Sequence, residues 1–250
     1  MNLKLKLVGF LVAFILASFT LVPPSKTTIY LIGDSTMSDK NVKAYPEAGW
    51  GMPFRYFFDS TVVVDNRAMN GRSTRTFMEE NRWAPVVDKL EEGDYVFIQF
   101  GHNDEVQTKR SATKPEEFRS NLIKYVTDTR SKKAQPVLIT PVARRNFDST
   151  GVFKPTHEEY SAIVRQVAKD QKVPLIDLDR KSQALLVELG AEKSKFFFNH
   201  LKAGEHPNYP KGKIDDTHFN ELGARLMAQL VLKEIQELKL EIADKIVRRN

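Results

Sequence analysis

Short, β-branched apolar runs alternate with longer amphipathic stretches along most of this chain. Thr28–Ile32, Thr61–Asn66, Tyr95–Phe100, Pro136–Thr140 and Pro174–Leu178 have strand length and little internal polarity, the first ending at Gly33 and the third at Gly101. Helical spacing fits the segments between them. Pro115–Ser131 has Thr113 as a candidate cap, Pro at its start and acids in its first turn, and Thr156–Gln171 repeats the pattern with Glu158 and Glu159. Pro53–Asp59, Met78–Leu90 and Asn220–Leu238 complete the set, the last continuing or restarting toward Val247. Strands that are apolar on both faces need cover on both faces. The alternation therefore predicts an α/β fold, a three-layer α/β/α sandwich around a five-stranded parallel sheet. In such sheets the ligand crevice lies outside the carboxyl ends of the strands. No repeat or linker interrupts the pattern, so residues 27–250 read as a single domain. Lys193–Asp215 is the least regular stretch and reads as a long loop leading to a site.

The N-terminus departs from this pattern. Lys4 and Lys6 precede an uncharged apolar run over Leu7–Ala17, followed by Ser18, Thr20 and the pair Pro23-Pro24. That layout is a secretory signal peptide over residues 1–22, too short for an ordinary membrane span, and it predicts a secreted or periplasmic protein. No Ala-x-Ala completes a cleavage site, so an uncleaved anchor is the alternative. With the signal removed, nothing else predicts membrane association. The chain has no cysteine, which excludes a disulfide framework, a lipid-bearing cysteine and a Cys-ligated zinc. A domain of this size can be stable on core packing alone.

Charge changes the picture modestly. The net charge is +6, from 38 basic and 32 acidic residues, and two of those lysines belong to the signal. The excess fits a solvated surface or attraction to an anionic polymer. Nucleic acid is not the expected partner, because no basic run is interleaved with aromatics.

Four segments carry candidate chemistry, and three of them follow a predicted strand. Gly33-Asp34-Ser35-Thr36 exposes a serine on a tight turn; taken alone, that serine reads better as a helix cap. In Asn66–Ser73, Gly71 lets a backbone N–H approach a reacting group, or is simply a loop glycine. Gly101-His102-Asn103-Asp104 offers the Asn103 amide as a donor, or is a turn. Asp215-Asp216-Thr217-His218 precedes the last helix and supplies a general base with a carboxylate three residues before it, or Asp216 or Thr217 caps that helix. Each bland reading stands by itself. Together the segments supply a nucleophile, a base, an orienting acid and oxyanion donors at one sheet edge.

This set resembles the SGNH (GDSL-type) hydrolase family, with the four blocks in the family's order over nearly all of the chain after the signal. The resemblance implies Ser35, His218 and Asp215 (not Asp216) as a catalytic triad. It implies an oxyanion hole of the Ser35 N–H, the Gly71 N–H and the Asn103 side chain. It also implies a flavodoxin-like sheet order of 2-1-3-4-5. Within the family, Gly33–Met37, Gly49-Trp50-Gly51, Asn66–Phe77, Phe100–Asp104 and Asp215–Phe219 are similar to the rhamnogalacturonan acetylesterase branch. That likeness implies a serine carbohydrate esterase acting on an acetylated, anionic polysaccharide of pectin, with no metal and no cofactor. Acetyl esters of another polysaccharide such as xylan, a lipase or thioesterase, and a non-catalytic carbohydrate-binding relative are the alternatives.

Arg72, Arg75, Arg144 and Arg145 are candidates to hold a uronate carboxylate, because guanidinium pairs with it bidentately. Arg72 and Arg75 flank the oxyanion loop and are the better placed. Tyr209 is a candidate to stack on a sugar ring, whereas Trp50 reads as core. His200, His206, His218 and Asp215 have no compact ligand spacing, so no metal site is expected.

Overall fold

A computed structural model describes residues 26–247, and the signal peptide expected over residues 1–22 lies outside them. Five strands, β1 (Thr27–Gly33), β2 (Val62–Asn66), β3 (Tyr95–Gln99), β4 (Gln135–Ile139) and β5 (Leu175–Ile176), form a parallel sheet in the order β2-β1-β3-β4-β5. The fold class and strand order expected from the sequence are those observed. Seven helices accompany them among the described residues: α1 (Gly51–Phe54), α2 (Thr74–Glu79), α3 (Ala84–Val87), α4 (Pro115–Ser131), α5 (Glu158–Gln171), α6 (Leu178–Lys193) and α7 (Glu221–Glu237). None is long and apolar enough to cross a membrane.

The strand pleat sends alternate side chains to opposite faces, which splits the core in two. Ile29, Leu31 and Phe97 join Phe54 of α1, Leu186 of α6 and Ala228, Val231 and Ile235 of α7 on one face. Tyr30, Ile32, Val96 and Ile98 join Phe77 of α2, Phe118 and Tyr125 of α4 and Val164 of α5 on the other. All the sheet's side chains in β3 are buried, as a central strand covered on both faces requires.

Four expectations need correction. The helix expected over Met78–Leu90 is two short helices, because Asn81 turns left-handed (φ 54°) after α2 and Pro85 starts the next turn. The expected strand Pro174–Leu178 is cut short at Ile176. Asp177 there caps α6, accepting from the Arg180 N–H while Arg165 binds its carboxylate. Helix α6 itself has no counterpart in the sequence reading. Lys193–Asp215 is not a long loop: a 3-10 turn (Ser194–Phe197) leads into β6 (Phe198–Leu201), which pairs antiparallel with β7 (Lys213–Phe219). After α7 the chain makes a 3-10 turn over Glu241–Lys245 and returns to the body, with Val247 donating to the Phe57 carbonyl. The C-terminal segment therefore does not present one continuous helical face.

Candidate active site

The nucleophile candidate sits where β1 ends. Asp34 is fully buried, and its Oδ1 accepts from both the backbone N–H (2.9 Å) and the hydroxyl (2.8 Å) of Thr36. The Met37 and Ser38 N–H groups donate to the Asp34 carbonyl, so the chain folds back at once around Ser35, which is buried (8% exposed) rather than exposed as the sequence suggested. Burial pushes the Asp34 carboxyl above the usual carboxylate range against the hydrogen bonds from Thr36. The turn is clamped from behind. Trp50 and Gly51 donate to the carbonyls of Thr36 and Met37, and a Cβ on Gly49 would lie 2.2 Å from the Ser38 carbonyl oxygen. Only glycine allows that approach. Below it, buried Gln99 donates to Thr36 Oγ1 at 2.6 Å and accepts from Trp50 Nε1 at 2.7 Å. Trp50 is thus core, as expected.

The loop after β2 runs along the same edge. Arg67 and Met69 donate to the Leu31 and Gly33 carbonyls, which brings Gly71 in its left-handed conformation (φ +77°) beside the serine turn. A Cβ on Gly71 would meet nothing within 4 Å, so its face is open. Asn103, after β3, donates from Nδ2 to the Arg72 carbonyl at 3.0 Å. That bond ties the two candidate oxyanion groups to one another.

The candidate base arrives on β7. Phe198 pairs with Phe219 and the next residue, Asn199, pairs with Asp215, so Asp216, Thr217 and His218 are looped out of register as a bulge. Asp215 Oδ1 accepts the Thr217 and His218 N–H groups, both at 2.9 Å, and closes the bulge locally. His218 then lies between its partners: Nδ1 is 2.9 Å from Asp215 Oδ2 and Nε2 is 2.9 Å from Ser35 Oγ. The neighbouring acid is used elsewhere, since Asp216 Oδ1 binds Arg145 and His200, each at 2.7 Å. Burial raises the Asp215 carboxyl, but the hydrogen bond and charge of His218 and the two N–H bonds outweigh it and hold the group far below the usual range. An ionised Asp215 fixes the His218 proton on Nδ1 and leaves Nε2 free to accept from Ser35.

The candidate substrate residues are placed as follows. Arg72 and Arg75 line an open cleft of about 830 Å³ that begins at Gly71, but their guanidiniums already pair with Glu80 and Glu79. Lys109 and Arg110 line the same cleft without an ion pair among the described residues. Arg144 donates to Thr217 Oγ1 (2.7 Å) and the His102 carbonyl (3.2 Å), joining the loops after β3 and β4 to the bulge. Tyr209 is half-buried; its hydroxyl donates to the Ala44 carbonyl and its ring lies 4.9 Å from the Lys213 ammonium.

The sequence reading missed the charged side chains beside Asp215. Lys213 is 3.3 Å from Asp215 Oδ2 and 3.0 Å from Glu47 Oε2, and Lys40 is 2.9 Å from Glu47 Oε1. Two residues apart on a strand place Lys213 and Asp215 on one face, and that spacing was the available signal. Glu47, Asp215 and His218 bring potential ligand atoms within 4.8 Å of one another. However, the two ammonium groups already on Glu47 would repel a cation there.

Residues 31–226 match the model of the GDSL-like Lipase/Acylhydrolase family. The chain is 42% identical over 222 residues to the rhamnogalacturonan acetylesterase RhgT of Bacillus subtilis, covering 88% of this chain and 94% of that protein. It is 28% identical to a rhamnogalacturonan acetylesterase of Emericella nidulans, covering 88% and 89%. Among solved structures, Bacillus subtilis YxiM superposes with a TM-score of 0.74 at 26% identity, over 88% of this chain and 58% of that one. A fold of this order, with strand-end loops in this sequence, makes the chain a member of the GDSL-like lipase/acylhydrolase (SGNH hydrolase) family.

Proposed function

We propose that this protein is an exported serine esterase that removes O-acetyl groups from the pectic rhamnogalacturonan backbone. The observation that carries the reading is the unbroken run from Asp215 through His218 to Ser35 Oγ, with both contacts of the ring at 2.9 Å. In this mechanism His218 takes the Ser35 proton as Oγ attacks the acetyl carbonyl. The oxyanion develops toward the Ser35 and Gly71 N–H groups and the Asn103 amide. His218 then hands the proton to the departing sugar hydroxyl. Water deprotonated by the same ring releases acetate and restores the serine. No step draws on a cofactor.

The 42% identity to a rhamnogalacturonan acetylesterase supports the substrate. So does the cleft beside Gly71, where Arg72, Arg75, Lys109 and Arg110 outnumber Glu79 and Glu80 and favour a polymer bearing carboxylates. The apolar run behind Lys4 and Lys6 supports export to the periplasm or beyond.

Acetate release from acetylated rhamnogalacturonan and from acetylated xylan, by the protein and by Ser35→Ala, tests this reading. Release from the pectic polymer alone, abolished in the variant, is expected. Release from xylan alone would keep the serine chemistry and overturn the substrate. Equal release by Ser35→Ala would overturn the mechanism.

A further inference from the structure

A row of alternating charges runs behind the triad. Lys213 Nζ lies 3.3 Å from Asp215 Oδ2, the same oxygen that faces His218 Nδ1. It also lies 3.0 Å from Glu47 Oε2. Glu47 Oε1 is 2.9 Å from Lys40 Nζ, and Lys40 reaches Asn70 Oδ1 at 2.8 Å, one residue before Gly71. These are not ordinary surface pairs: the Lys40 side chain is 0% exposed and that of Glu47 is 10% exposed. Tyr209 covers Lys213 with its ring and is itself held by the Ala44 carbonyl. The row joins the triad acid to the oxyanion loop.

We propose that Lys213 is a positioning residue of the reaction: together with Glu47 it sets the pH at which His218 is free to act as a base. The proposal rests on the esterase reading above. Lys213 shares the Asp215 oxygen that would stabilise the imidazolium, and so disfavours protonation of the ring. Glu47 acts in the opposite sense, with a carboxylate oxygen within 4.8 Å of a His218 ring nitrogen. Its carboxyl stays ionised: burial raises it, but Lys40, His218 and Lys213 outweigh burial and hold it below the usual range.

The charged and titratable groups facing His218 are few. Asp215 and Lys213 come from its own strand, Glu47 backed by Lys40 from the segment after β1, His102 from the loop after β3 and Arg144 from the loop after β4. Burial, the nearby His157, Arg144 and His218 hold His102 well below the ordinary imidazole range, so it brings no charge at working pH. A guanidinium is charged over the whole working range, so Arg144 adds a constant field. Lys213 and Glu47 are therefore the pair whose removal changes the field on the ring in opposite directions.

The test uses Lys213→Met, Lys213→Arg and Glu47→Gln, with thermal melting to establish that each is folded. Two readouts are taken: NMR titration of the His218 ring, and the acid limb of kcat/KM on p-nitrophenyl acetate. Removing one unit charge at this range should move both by about one pH unit, upward in Lys213→Met and downward in Glu47→Gln. Lys213→Arg should restore the wild-type position. An unmoved ring titration in folded Lys213→Met and Glu47→Gln, or shifts of the same sign in both, would overturn the proposal. The NMR readout needs no substrate. Wild-type protein that cleaves no ester would sink the esterase reading, while the ring titration still decides the coupling.

Discussion

Gln99→Leu is the most informative single perturbation of the turn that carries Ser35. Gln99 is in the central strand with no exposure, and its amide holds two groups from other segments: Thr36 Oγ1 at 2.6 Å and Trp50 Nε1 at 2.7 Å. Leucine matches the volume but offers neither bond. Trp50 Nε1 becomes a buried donor without an acceptor, which costs about 1–3 kcal/mol, and Thr36 loses an incoming bond worth about 1 kcal/mol. Thr36 keeps its bond to Asp34 at 2.8 Å, so the turn is loosened rather than lost. A total of about 2–4 kcal/mol lowers the melting temperature by roughly 5–15 °C in a chain of this size. Gln99→Glu separates hydrogen bonding from volume. One carboxylate oxygen still accepts from Trp50, but the other forces Thr36 Oγ1 to turn its proton away from Asp34, and two buried carboxyl groups then share the site. It should melt at least as low as Gln99→Leu. Circular dichroism melts at neutral pH, paired with kcat on p-nitrophenyl acetate, read both effects; a displaced Ser35 should lower kcat about tenfold or more. If Gln99→Leu melts within about 1 °C of wild type, then buried satisfaction of Trp50 does not hold the turn, and the reasoning fails.

Two further outcomes follow from the site. Asn103→Ala removes the proposed oxyanion donor, whose amide is already aimed by the Arg72 carbonyl, and should lower kcat on acetylated polymer by about 10²–10³ with little change in KM; an unchanged kcat would place the oxyanion elsewhere. Asp215, held far below the usual carboxylate range in the fold, contributes stability that is complete above its unfolded value and is lost as pH falls through about 5 and below. Asp215→Asn should therefore flatten the fall in melting temperature between neutral pH and about pH 3, and an identical slope in wild type and variant would refute the assignment.

Where a segment's neighbours are its own sequence neighbours, the reading from sequence matches the structure closely. Helix α4 occupies the predicted Pro115–Ser131, because proline, first-turn acids and apolar spacing are all local. Even there the cap differs, since Lys114 and not Thr113 precedes the helix, without a side-chain bond. Elements whose boundaries depend on distant partners were not legible. Asp177 ends β5 early because Arg165 of α5 and the start of α6 both claim its carboxylate. Thr74, outside every helix expected from the sequence, starts α2 because Ser73 and Thr76 form a capping box and buried Asp104 accepts from the Thr74 N–H and hydroxyl.

The bulge of β7 shows why the site residues were easier to find than the strand that carries them. Three residues from Asp215 to His218 suit a helix start, where positions i and i+3 share a face. In a regular strand the same spacing would put the two side chains on opposite faces, roughly 10 Å apart along the chain. The chain satisfies the spacing in a strand by looping out three residues and closing them with two N–H bonds to the carboxylate that also holds the imidazole. One aspartate therefore makes the turn and orients the His218 ring. Asp216, one position on, points away to Arg145 and His200 and anchors the bulge to the loop after β4. A substitution at Asp215 accordingly disturbs both backbone and proton placement. Its effect on activity alone cannot apportion the two, which is why the charges of Lys213 and Glu47, outside the bulge, are the cleaner handle on the ring.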